Sequence, residues 1–137
     1  MGEKQLKSLE TVVILDDDIE IVAAYCRNLR IHFTIRAFNS SLAALSELPK
    51  LPRVAVIVTD NKMPDLSGLE FLKKSRAIHP NAARIMVTAN LEGPMVDDAI
   101  KGGLLFRFFE KPCPTDTVIA AINDGLAYYH RRIAGKT

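Results

Sequence analysis

The chain has 137 residues and a formal net charge of +2 at pH 7, with 48% hydrophobic and 25% charged residues. That is the length of one domain with enough apolar material for a core, which argues against global disorder. The charge is too mild to argue for nucleic acid, two cysteines do not make a disulfide scaffold, and no apolar stretch approaches the roughly 18–20 residues of a membrane span.

Residues 1–10 are polar and charged, lack the apolar core of a signal peptide, and are expected to be flexible. Val12–Asp16 reads as a first strand that leads into Asp16-Asp17-Asp18. Ile21, Tyr25 and Leu29 then repeat at helical spacing. Phe33–Phe38 reads as a second strand, and Ser40-Ser41 as an N-cap ahead of Leu42 and Leu45. Val54–Asp60 is the third strand, followed by a Pro/Gly turn and a helix carrying Leu69 and Leu72. Arg84–Thr88 is the fourth. Pro94 suits the first turn of a helix carrying Met95, Val96, Ala99 and Ile100, and Gly102-Gly103 suits its end. Phe106–Glu110 is the fifth strand. In the last helix, Ile119, Ile122, Leu126, Tyr129 and Ile133 step by three and four. That stripe reads most simply as packing on a sheet; the sharper alternative is a coiled-coil-like seam, which Gly125 weakens. One domain is expected over residues 11–133, with 134–137 frayed or beginning a linker.

Strict alternation of strand and helix predicts a parallel sheet covered on both faces. In such sheets chemistry gathers at the C-terminal edges of the strands. Asp16, Asp17, Asp60, Thr88 and Lys111 all fall at such edges. Capping a helix needs one carboxylate, and Asp18 suits that role. Further acids side by side repel unless a cation joins them. A hard divalent cation such as Mg²⁺ (or Mn²⁺) takes oxygen ligands of this kind. A hydroxyl, an ammonium and a cation around one carboxylate suit phosphoryl transfer, whose transition state spreads charge over three oxygens. Asp60, central and ahead of a turn, fits a nucleophile that becomes an acyl phosphate. Cys26 and Cys113 are expected to be reduced, and His32, His79 and His130 lack ligand spacing.

Ile14-Leu15-Asp16-Asp17-Asp18, the run Asp60–Gly68, Val87-Thr88-Ala89 and Glu110-Lys111-Pro112 together resemble the receiver domain of bacterial two-component response regulators. The resemblance covers nearly the whole chain. It implies a doubly wound (βα)5, flavodoxin-like fold with a five-stranded parallel sheet in the order 2-1-3-4-5. It implies that Asp60 accepts a phosphoryl group from a sensor histidine kinase or phosphotransfer protein. Asp16, Asp17, Asp60 and the backbone carbonyl of Lys62 would hold Mg²⁺, with Asp16 acting through water. Thr88 and Lys111 would bind the phosphoryl group. Pro112 would follow a cis peptide, and Phe108 would be an aromatic switch, against the simpler reading of Phe108 as core.

Lys62 and Asn90 occupy rim positions that tune acyl phosphate lifetime in the family. Asp65 stands in the turn where a Gly is frequent. The implied protein is a cytoplasmic switch that assists only its own phosphorylation and hydrolysis, not a metabolic enzyme. Its switched surface would be the fourth helix, fifth strand and fifth helix, with Met95, Val96 and Arg107 as candidates. That surface would meet an output domain, a downstream protein or a phosphorylated second copy, with no direct contact to nucleic acid or membrane. The run Phe106–Pro114 is similar to receivers fused to cyclic-dinucleotide phosphodiesterases, so a longer regulator is expected.

Two other readings compete. A haloacid-dehalogenase-type phosphatase would use Asp16 as nucleophile and Asp18 as acid, but that reading expects Thr or Val where this chain has Glu20, expects a later acidic pair after another strand, and leaves Asp60 with no use. A docking module that is never phosphorylated would have no need of the full set of acids, hydroxyl and ammonium.

Overall fold

The computed structural model describes residues 9–89 and 94–135. Among them, strands β1 (Thr11–Leu15), β2 (Thr34–Phe38), β3 (Val54–Thr59), β4 (Ala83–Thr88) and β5 (Arg107–Glu110) alternate with helices α1 (Ile19–Leu29), α2 (Ser41–Glu47), α3 (Gly68–Ile78), α4 (Pro94–Lys101) and α5 (Thr115–Ala134). Neighbouring strands pair in parallel in the order β2-β1-β3-β4-β5, the doubly wound order expected.

The three central strands are buried along their whole length, which is why they read as unbroken apolar runs. Alternate residues feed two cores. Val13, Leu15, Ile57 and Met86 pack with Phe71 and Leu72 of α3, while Val12, Ile14, Val56, Val58, Ile85 and Val87 pack with Leu29 of α1 and Val118 and Ile122 of α5. The edge strands β2 and β5 are only partly buried.

Local chemistry sets the helix ends. Asp18 accepts from the amides of Glu20 and Ile21, Ser40 from Ala43, and Ser67 from Glu70. Gly103 takes a left-handed conformation (φ 75°) that stops α4 at the expected Gly pair.

Several expectations shift. β1 and β3 end one residue before Asp16 and Asp60, so both acids open loops. The amide of Phe33 bonds back to the carbonyl of Leu29 at 3.0 Å, and β2 starts after it. Leu42 lies exposed; α2 buries Ser41 and Ala44 instead, ahead of a 3₁₀ turn over Leu48–Lys50. In α5 the buried stripe is Val118, Ala121, Ile122, Gly125 and Tyr129, so the sheet-packing reading holds there, with Ile133 left exposed at the far end. A Cβ at Gly125 would lie 2.9 Å from Val56 Cγ2 and 3.0 Å from Ala83 Cβ, so this glycine marks where the helix touches the sheet. Of the segments expected to be loose, residues 1–8 and 136–137 lie outside the described residues.

Candidate functional site

Adjacent strands bring the acids together. The amide of Asp60 donates to the carbonyl of Leu15 at 3.1 Å, which sets the loop after β3 beside the loop after β1. One carboxylate oxygen from each of Asp16, Asp17 and Asp60 lies within 4.8 Å of the others. Asp16 is buried (2% exposed), Asp60 half-buried and Asp17 exposed.

Lys111 reaches this cluster from the end of β5. Its Nζ donates to Asp16 Oδ2 at 2.8 Å and to Asp60 Oδ2 at 3.0 Å. The remaining oxygens are also engaged. Asp16 Oδ1 accepts from the amide of Asp18 at 3.0 Å, and Asp60 Oδ1 from the amide of Asn61 at 2.6 Å. Burial, the largest single effect, would lower the Lys111 pKa, but the hydrogen bonds to Asp16 and Asp60 and the charges of those carboxylates together outweigh it and leave the ammonium more firmly protonated than usual. The backbone amide of Lys111 donates to the carbonyl of Thr88 at 2.9 Å, which ties β5 to the end of β4, and Thr88 itself is buried. The Lys111–Pro112 peptide is cis.

The other expected residues stand apart. Phe108 pairs through its backbone with Met86, is 40% exposed, and is not among the residues packed in either core. β5 is an edge strand, and Phe108 lies on the face of the sheet that Met86 also lines. The side chain of Lys62 is exposed. Asn90 lies outside the described residues. Asp18, the acid of the phosphatase-like reading, is occupied in capping α1 and is not among the three clustered acids.

Three residues of the site carry no signal that the sequence reading used. Tyr25 lines a cleft of about 420 Å³ with Ile21, Asn28, Val87, Lys111 and Cys113. Burial pushes its phenol up to about 12, with smaller effects from Lys111, Asp16 and Asp60 that place it within the field of the site. Its helical spacing with Ile21 and Leu29 showed only an apolar face. Gly68 is the second: a Cβ there would overlap the carbonyl oxygen of Asp60, so the start of α3 presses on the acid loop. Asn61 is the third. Its amide donates to Asp60 Oδ1 and its carbonyl accepts from the amide of Gly68, and its place next to the acid was the one available hint.

The chain matches the response regulator receiver domain model over residues 12–123. It is 34% identical over 113 residues to the transcriptional regulatory protein FixJ of Rhizobium meliloti (strain 1021), covering 82% of this chain and 54% of that protein. Among solved structures, a chain described as adenylate cyclase from Rhodopirellula baltica superposes with a TM-score of 0.89 at 32% identity, over 96% of each chain. The structure of FixJ-N gives a TM-score of 0.76 at 30% identity, over 88% of this chain and 95% of that one. The chain belongs to the response regulator receiver domain family, the receiving module of two-component signalling. It spans 54%, 25% and 57% of the first three curated relatives it matches. No helix among the described residues is long and apolar enough to cross a membrane.

Proposed function

We propose that Asp60 accepts a phosphoryl group from a phosphohistidine of a sensor kinase or phosphotransfer protein, and that the product switches the surface of α4, β5 and α5. The observation that carries this reading is one ammonium shared by two carboxylates, Lys111 to Asp16 and Asp60 at 2.8 and 3.0 Å, with Asp17 alongside. Three carboxylates and one ammonium leave two uncompensated negative charges, which a divalent cation balances. The donors are all hard oxygens, which suits Mg²⁺ or Mn²⁺. Asp16, Asp17, Asp60 and the Lys62 carbonyl would hold it, and when bound it supplies charge neutralisation at the phosphoryl oxygens.

In the transfer, an Asp60 oxygen forms the O–P bond as the donor's N–P bond breaks, and the imidazole nitrogen takes up a proton. The product is a mixed anhydride of Asp60, bringing a charge of about −1.5 to −2. Lys111 and the Thr88 hydroxyl would then turn to the new oxygens. Phe108, 40% exposed on the edge strand, would move inward behind Thr88. Lys62 and Asn90 would set the lifetime of the anhydride from the rim. Turnover would be limited to this self-directed chemistry, and a chain that meets a kinase donor of this kind would work in the cytoplasm. The switched surface would meet an output domain, a downstream protein or a second phosphorylated copy. The greater length of the relatives supports a longer regulator. Their descriptions as transcriptional regulators, and the adenylate cyclase likeness, offer other outputs than the phosphodiesterase suggested by Phe106–Pro114 alone.

Phosphodonor with Mg²⁺ should shift the backbone amide resonances of Thr88, Lys111 and β5. An Asp60 adduct that left those resonances in place would refute the switch.

A further inference from the structure

We propose that Asn61 is a positioning residue, which fixes the phosphoacceptor loop by making the first turn of α3 part of it. The inference rests on the reading of Asp60 as the acceptor. The first amides of a helix have no partners within it. In α3 the amide of Gly68 donates to the Asn61 carbonyl at 2.8 Å, and the amide of Leu69 to Asn61 Oδ1 at 3.1 Å. Only the next amide, that of Glu70, uses the ordinary cap, Ser67 Oγ, at 3.2 Å. The amide of Asn61 itself donates to Asp60 Oδ1 at 2.6 Å. The main-chain donor, main-chain acceptor and side-chain acceptor of one residue therefore connect the helix end to the reacting carboxylate. Gly68 allows the contact, since any side chain there would overlap the Asp60 carbonyl.

The consequence is mechanical. Asp60 is held between the Asn61 amide on one oxygen and Lys111 on the other. Rotating the Asp60–Lys62 backbone would break two of the bonds that cap α3. The Lys62 carbonyl, an expected cation ligand, is one peptide farther along the same restrained segment. A residue that merely capped α3 would affect stability alone. A positioning residue would also affect cation affinity and the rate of phosphorylation.

The test compares Asn61→Leu, which keeps similar volume without the acceptor, with Ser67→Ala, which removes the neighbouring cap without touching the Asp60 loop. Asn61→Asp keeps an acceptor, and Asn61→Ala keeps the test open if the leucine variant does not fold. The readouts are Leu69 amide hydrogen exchange, the Mg²⁺ midpoint by calorimetry and the phosphorylation rate with a small acyl phosphate. Loss of the Asn61 acceptor should speed exchange at Leu69 and raise the Mg²⁺ midpoint about three- to tenfold, the effect of one hydrogen bond. Asn61→Asp should restore Leu69 protection, and Ser67→Ala should leave the midpoint and rate unchanged. A wild-type midpoint and rate in Asn61→Leu or Asn61→Ala, or an equal shift in Ser67→Ala, would overturn the inference. If the wild-type protein took no phosphoryl group, the acceptor reading would fail, while the Mg²⁺ midpoints would still decide the role of Asn61.

Discussion

Replacing Asp17 with Asn should stabilise the protein in the absence of divalent cations and remove most of the stability that Mg²⁺ adds. The three clustered carboxylates lie within 4.8 Å of one another, and Lys111 bonds to only two of them. At that separation two unit charges repel by about 0.9 kcal/mol in water and about 3.5 kcal/mol at an effective dielectric of ~20. Asp17 is exposed, which puts it near the water limit. It faces two carboxylates, and the Lys111 ammonium cancels part of that, so the variant should gain about 1 kcal/mol without Mg²⁺. With Mg²⁺ at one hundred times its midpoint, the wild-type protein should gain about 2.7 kcal/mol. The variant should gain about 1.4 kcal/mol less for each tenfold loss in affinity. Urea unfolding followed by circular dichroism, with and without Mg²⁺, measures all four stabilities. An Asp17→Asn protein that is less stable than wild type without Mg²⁺, or gains as much from it, would refute the repulsion argument.

Overpacking against Val56 and Ala83 should cost Gly125→Ala about 1–3 kcal/mol, which the ~1 kcal/mol that alanine contributes to helix propensity offsets only in part, for a net loss of about 1 kcal/mol. A variant of equal or greater stability in urea would contradict the close approach of α5. The Lys111 pKa is raised in the fold, so its ion pairs contribute fully below the unfolded value of about 10.4 and are lost as pH rises through the folded value. The stability gap between wild type and Lys111→Met should therefore stay level near neutral pH and close in alkali; a gap that widened in alkali would reverse the sign. Tyr25, pushed up to about 12 by burial, should ionise late in an ultraviolet titration, and Tyr25→Phe should delete that late step. Its stability contribution should decline from about pH 10, where an unfolded tyrosine ionises, upward. Early ionisation of Tyr25 would show the phenol to be solvated.

The fold was legible because the three central strands are buried on both faces, and such strands have to be apolar throughout. Asp16, Asp60, Thr88 and Lys111 were legible for a related reason. A polar residue ending an apolar run marks the edge of the sheet, and edges of neighbouring strands converge. Side-chain direction on partly buried elements was not legible. Leu42 and Phe108 are apolar yet exposed, because α2 is short and β5 is an edge strand. Gly125 looked like a weak point of a helix and is a contact point, since its value depends on Val56 and Ala83, far away in sequence. The reach of Asn61 to Leu69 is likewise a property of the folded turn, in which α3 doubles back onto the loop that carries Asp60.

The most direct measurement is the intact mass of wild-type and Asp60→Asn protein after incubation with a small-molecule phosphodonor, with and without Mg²⁺. Borohydride reduction, which converts an aspartyl phosphate to homoserine, then maps the modified residue. A single Mg²⁺-dependent, base-labile adduct at Asp60, absent from Asp60→Asn, is the expected result. No adduct in any condition, or one that persists in Asp60→Asn and maps to Asp16, would contradict the central claim that Asp60 is the phosphoacceptor.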